Sequence, residues 1–150
     1  MKLLKDHQIA EVKMSYSPDI DISIAPKITG SGDAAKCFSQ DWEDVQYIER
    51  FKIMLLTRSN RVKGIVSISQ GGLTACIVDT KIILQAALLS NSSSIIIAHN
   101  HPSGNLEASE ADKKITQTIK EACKFQDIAL LDHVIITANG YYSFADEGLL

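Results

Sequence analysis

At 150 residues the chain is short enough for one domain and long enough to bury a sizeable core. With 45% hydrophobic and 22% charged residues, eight Gly and three Pro, its composition excludes extensive disorder and a collagen-like or linker-dominated chain. Fifteen Lys plus Arg against eighteen Asp plus Glu give a formal charge of −3, so no global cationic field draws in phosphate backbones, and strong non-specific nucleic-acid binding is not expected.

The run Met1-Lys2-Leu3-Leu4-Lys5-Asp6-His7 is broken by charge before a signal-peptide core forms, and no apolar stretch approaches the roughly 18 residues of a membrane span. Neither secretion by a standard signal nor membrane embedding is therefore expected. Residues 1–30 mix isolated apolar positions with Ser, Pro, Asp and Lys and end at Thr29-Gly30-Ser31-Gly32; they read as an N-terminal arm, with room for one edge strand, ahead of a domain over 31–150. Ser31 or Asp33 is placed to cap a short helix through Trp42, whose apolar face is Ala34, Ala35, Cys37 and Phe38. Tyr47 to Thr57 predicts a strand, turned by Arg58-Ser59-Asn60-Arg61 into a second from Val62 to about Ser69, after which Gly71-Gly72 permits a positive-φ turn.

Asp79 is placed to cap a helix bearing Ile82, Ile83, Ala86, Ala87 and Leu89, which ends before Ser90-Asn91-Ser92-Ser93-Ser94 and a buried strand Ile95-Ile96-Ile97-Ala98. A loop from His99 to Ala108 holds Pro102 and Gly104, and Ser109 is a good N-cap for a long helix to about Phe125. Ile128 to Thr137 predicts another strand, with Asn139-Gly140 as a hairpin signal and Tyr141-Tyr142-Ser143-Phe144 returning. This order predicts an α/β sandwich around one mixed sheet, with a helix on each side. Cys37, Cys76 and Cys123 form an odd set without C-x-x-C pairing, which predicts buried reduced thiols outside any metal site and a cytoplasmic location.

Three groups carry the chemistry. At a strand end, residues two apart project to the same side, so His99 and His101 can aim two imidazoles at one point; H-x-H alone is a weak signal, and on its own reads more readily as satisfied polar residues at a strand end. Asp112 shares a helical face with Ile115, Ile119 and Cys123, which turns a carboxylate inward, where a cation also held by His99 and His101 would satisfy it. Asp112 also stands three residues after Ser109, the N3 place of a capping box, and the two roles are compatible. Glu49 alternates with Phe51, Ile53 and Leu55 on the more apolar face, opposite Arg50 and Lys52, and reads either as a general base or as a solvated residue at a frayed strand end.

Two His and one Asp leave a tetrahedral zinc ion one open position, a catalytic rather than structural count, which predicts one Zn²⁺ per chain. Ser103 is placed to donate to the oxyanion of a tetrahedral intermediate, or is a plain turn serine. Asp132 and His133 read as a polar pair at the end or edge of a buried strand, within reach of the site.

The run His99-Asn100-His101-Pro102-Ser103-Gly104, then Ser109 and Asp112, resembles the JAMM (MPN+) metalloprotease motif H-x-H-x(10)-D of the RadC-like branch. The resemblance continues through Glu49-Arg50-Phe51, Leu55-Leu56, Gly71-Gly72, Leu130-Leu131-Asp132-His133 and Tyr142-Ser143-Phe144, over roughly residues 40 to 150. It implies a curved mixed sheet between helices, His99, His101 and Asp112 as zinc ligands, Glu49 as the base, Ser103 as the oxyanion donor, and cleavage of peptide or isopeptide bonds in a peptide or protein substrate. Two departures stand out. Many RadC-like proteins carry a helix-hairpin-helix DNA-binding segment ahead of this domain, and residues 1–40 show no such helix pair; Ala108 replaces a proline common before the capping serine. The alternatives are a non-catalytic interaction module, or a DNA-repair-associated accessory protein, that keeps the fold.

Overall fold

Two apolar clusters, one on each face of a single five-stranded sheet, hold the chain together in the computed structural model, which describes residues 10–71 and 77–150. The strands are β1 (Arg50–Leu56), β2 (Val62–Gln70), β3 (Ser94–Asn100), β4 (Ala129–Ile136) and β5 (Tyr141–Ser143), in the order β2-β1-β3-β4-β5. Only β3 and β4 run parallel, and the helix between them supplies the crossover that parallel neighbours require. The helices are α1 (Ser31–Gln40), α2 (Thr80–Leu89) and α3 (Glu110–Lys124). Helix α1 covers one face of the sheet through Ala34, Ala35 and Phe38, while α2 and α3 cover the other through Ile83, Ala87, Ile119 and Cys123. The expected α/β sandwich around a mixed sheet is therefore present, with one helix on one side and two on the other. Among the described residues ahead of α1 are a 3₁₀ turn at Ile22–Ile24 and an isolated bridge from Lys27 to Arg61.

The central strand explains itself. Ser94-Ile95-Ile96-Ile97-Ala98-His99-Asn100 is buried at every position, as a strand covered on both faces must be, and its Ile run supplies both clusters. Full burial of each such Ile is worth about 1.5–3 kcal/mol. The same two-sided cover governs Lys52, which points away from Phe51 and Ile53 but does not reach solvent. It is 5% exposed, donating to the Asp41 carbonyl at 2.6 Å and the Asp41 carboxylate at 2.7 Å, with its ammonium 5.0 Å from the centre of the Trp42 ring.

Several boundaries shift. Helix α1 is capped by Gly30 rather than by Ser31 or Asp33, and it stops at Gln40, before Trp42. Asp33 instead reaches back to accept from the Thr29 amide at 2.8 Å and the Thr29 hydroxyl at 2.5 Å. Strand β1 starts at Arg50, leaving Glu49 in the lead-in. The Gly71-Gly72 turn runs into residues 72–76, outside the described residues, as do Cys76 and His7.

The register of β4 carries an irregularity with consequences for the site. Ile95 pairs with Leu130, but Ile96 pairs with Asp132 and Ile97 with His133, so Leu131 is an extra residue. A one-residue insertion exchanges the faces of everything beyond it. Without it His133 would stand opposite Ala98, on the α1 side; with it His133 lies under α3, on the face that carries His99.

Candidate metal centre

His99 is the penultimate residue of β3 and His101 follows the strand directly, tied to β4 by its amide donating to the Ile136 carbonyl at 3.0 Å. The shared side predicted from their spacing is realised, with the two Nε2 atoms 2.9 Å apart. Asp112, in the first turn of α3, brings Oδ1 to 3.3 Å from His99 Nε2 and Oδ2 to 3.6 Å from His101 Nε2. Glu49 completes the group: its carboxylate and the ring nitrogens of His99 and His101 offer ligand atoms that all lie within 4.8 Å of one another.

Although Glu49 lies outside β1, it is not a frayed end. The fully buried Asn100, between the two histidines, accepts from the Arg50 amide at 2.7 Å and donates to the carbonyls of Val45 at 2.7 Å and Ile48 at 2.9 Å. The Glu49 carbonyl in turn accepts from the Gly71 amide at 2.9 Å. Three hydrogen bonds of one buried amide side chain hold the residues on both sides of Glu49.

Asp112 takes the N3 place of the cap expected of it. Its Oδ2 accepts from the Ser109 amide at 2.8 Å, and its own amide donates to Ser109 Oγ at 3.0 Å, closing a capping box. Ser109→Ala is accordingly expected to cost about 1 kcal/mol of stability. A urea denaturation curve with an unchanged midpoint would contradict it.

The electrostatics favour a cation. Burial alone would raise the Asp112 carboxyl, but hydrogen bonds from His101 and His99, reinforced by the Ser109 amide, outweigh it and hold the group well below the usual carboxylate range. His101 is raised above its ordinary value, chiefly by its hydrogen bond to Asp112, against the opposing effect of burial. His133 is driven well below its ordinary value by complete burial, with the neighbouring His99 adding to the effect. His101 Nδ1 lies 2.6 Å from the Asn105 carbonyl, which can only accept, so in the neutral ring the proton sits on Nδ1 and Nε2 presents a lone pair to the site.

The donor set suits a small divalent ion. Tetrahedral coordination at zinc-to-ligand distances of about 2.0–2.1 Å separates neighbouring donors by about 3.3 Å. The two Nε2 atoms are 2.9 Å apart and the two Asp112 oxygens lie 3.3 Å from one and 3.6 Å from the other, close to that spacing, so a small reorientation of the Asp112 carboxylate would let His99, His101 and Asp112 hold such an ion.

Ser103 is exposed on the loop after His101, its oxygen receiving a long contact from the Asn105 amide at 3.4 Å. Gly104, at φ 84°, makes the turn that bends this loop back, its amide donating to the His101 carbonyl at 3.0 Å. Cys37 and Cys123 are free thiols and belong to the two apolar clusters, not to this site; burial raises Cys123 to about 11.

The polar pair of β4 divides. Asp132 turns away, accepting from Ser143 Oγ at 2.6 Å and the Ala145 amide at 2.9 Å. His133 turns in, with Nε2 2.7 Å from His99 Nδ1 and Nδ1 2.6 Å from Thr116 Oγ1. His133, Thr116 and Asn100 are the participants that sequence reasoning did not assign to the site. The available signal was a histidine amid apolar strand residues, since a buried imidazole needs partners.

A mixed open sheet with an H-x-H at the end of its central strand, faced by carboxylates from a helix cap and a strand lead-in, defines an α/β domain with a metal-competent centre. The family profile of the RadC-like JAB domain matches residues 28–149. This chain belongs to that family, a branch of the JAMM/MPN domains. It is 40% identical over 129 residues to a UPF0758 protein of Flavobacterium johnsoniae, covering 86% of this chain and 56% of that one. A UPF0758 protein of Chlorobium chlorochromatii is 38% identical over 124 residues, covering 83% and 55%. The chain thus spans little more than half the length of these relatives.

Proposed function

We propose that this domain is a zinc-dependent hydrolase of peptide or isopeptide bonds, in which His99, His101 and Asp112 hold one ion per chain, Glu49 is the general base and Ser103 the oxyanion donor. The observation that carries the reading is the convergence of two imidazole Nε2 atoms, 2.9 Å apart, on a carboxylate, with a second carboxylate within 4.8 Å of the ring nitrogens. A zinc ion bound there supplies Lewis acidity, bringing the acidity of water toward neutral pH and polarising a carbonyl.

The chain's own groups do the rest. Glu49 takes the proton of the attacking water at a carboxylate oxygen and passes it to the leaving amine nitrogen. The Ser103 hydroxyl, whose proton is not committed to the Asn105 contact, donates to the developing oxyanion. Phe51, Val78, Ala111 and Ile115 join Glu49, His99 and Asp112 around a cavity of about 200 Å³, an apolar wall that seats part of a peptide or protein substrate and strengthens charge interactions beside it.

Among the described residues no helix is long and apolar enough to cross a membrane. The free thiols Cys37 and Cys123 accord with a reducing, cytoplasmic setting.

Zinc-loaded and zinc-stripped protein, assayed side by side on peptide, isopeptide and nucleic-acid substrates, test the proposal. Amide cleavage that requires zinc is expected; cleavage confined to nucleic acid would overturn it. A pH signature accompanies this. Because His101 is raised above 6.5, its pairing with Asp112 stabilises the zinc-free fold at lower pH and is lost as pH rises through the raised value. Zinc needs the neutral imidazole, so the zinc-induced increase in Tm is expected to grow from about pH 6 to about pH 8. A constant increment would contradict ligation by His101.

A further inference from the structure

We propose that His133 is a positioning residue: with Thr116 it forms a directional hydrogen-bond relay that fixes the proton of His99 on Nδ1 and leaves Nε2 bare toward the metal centre. The inference rests on the reading of His99 as a ligand and goes beyond it, because it concerns how the ligand's tautomer is set.

The direction follows from one group that cannot donate. Thr116 Oγ1 lies 2.6 Å from the Asp112 backbone carbonyl and 2.6 Å from His133 Nδ1. The carbonyl only accepts, so the single Thr116 proton goes to it. The Thr116 oxygen is then the acceptor toward His133, which must carry its proton on Nδ1. His133 Nε2 is left as a lone pair, 2.7 Å from His99 Nδ1, and accepts the proton there. With its Nδ1 proton given to His133, a neutral His99 presents its lone pair at Nε2, the atom 2.9 Å from His101 Nε2 and 3.3 Å from Asp112 Oδ1; a proton held there toward Asp112 in the zinc-free protein is the one that zinc displaces.

Every member of this relay is buried where water cannot substitute. His133 is 0% exposed, stacked on Phe144 at 4.5 Å and edge-on to Phe51 at 5.8 Å; Thr116 and His99 are each 2% exposed. The relay starts at the backbone of Asp112, itself a proposed ligand, so the residue that supplies a carboxylate on one side orders the imidazole on the other. It also depends on the extra residue at Leu131, without which His133 would lie on the opposite face of the sheet.

The test uses the full chain, histidine-labelled with ¹⁵N. In wild type, long-range ¹H–¹⁵N spectra are expected to place the His133 proton on Nδ1 with and without zinc, and the proton of zinc-loaded His99 on Nδ1; a His133 proton on Nε2 overturns the relay. Zinc affinity is then measured by competition with a chelating dye. His133→Phe, which suits the aromatic surroundings but cannot accept, is expected to weaken binding about 10- to 100-fold. His133→Gln, whose side-chain carbonyl can stand where Nε2 stood, is expected to recover it to within about threefold.

Equal affinities for the Phe and Gln variants would reduce His133 to a packing role. Should the Phe variant fail to fold, Thr116→Val decides: it removes the ordering hydroxyl at nearly constant shape, and a mixed His133 tautomer with weaker zinc binding is expected. A single unchanged tautomer there overturns the proposal. A wild type that binds no zinc would defeat the proposed function, while the zinc-free spectrum would still report separately on the relay.

Discussion

Glu49→Gln is expected to keep its zinc and lose hydrolysis by about 10²-fold or more. The amide preserves the size of the side chain, and the hydrogen bonds that place this segment all come from elsewhere: Asn100 holds Arg50, Val45 and Ile48, and Gly71 holds the Glu49 backbone. Nothing in that scaffold depends on the carboxylate. What disappears is the basic oxygen that takes a proton from water and returns it to the leaving amine, so kcat should fall much more than KM rises. Metal analysis beside steady-state kinetics on one amide substrate is the check. A loaded variant with wild-type turnover would remove Glu49 from the mechanism.

The second large effect is on the metal itself. His99→Ala combined with His101→Ala should take zinc content after dialysis from about one per chain to near none, because only carboxylates remain and these alone make a weak zinc site. The same pair of substitutions strips Asp112 of its imidazole partners, leaving it the Ser109 cap. Retained zinc in the double variant would mean that the ion sits elsewhere. Comparison with Glu49→Gln makes the two results mutually informative: one variant is empty and inactive, the other loaded and slow.

Much of this arrangement was legible in the chain. The apolar run at Ile95–Ala98, the cap at Ser109 and the inward period from Asp112 through Ile119 to Cys123 place two imidazoles and a carboxylate at one end of a buried strand, and the structure has them there. Periodicity works where burial differs between faces. Alternation placed Lys52 on the face opposite Phe51 and Ile53, and it is there, but alternation does not show that this face is covered too, with Asp41 letting a lysine stand in the core. For His133 it gave no face, because the face depends on an inserted residue at Leu131 that leaves no mark in the hydrophobic pattern. Asn100 was passed over for a different reason: its role is made of contacts with residues about 50 positions away, which local pattern cannot contain.

Those contacts of Asn100 also determine how the pocket can breathe. The residue is wholly buried, belongs to the central strand and grips the turn ahead of β1 by three backbone hydrogen bonds. Displacing the backbone that carries Glu49 from the histidines would mean breaking hydrogen bonds anchored on the most deeply buried strand of the sheet. The Glu49 side is therefore expected to open less readily than the exposed loop of Ser103, and amide hydrogen exchange at Arg50 slower than at Ser103 and Gly104 is the measurable sign of it.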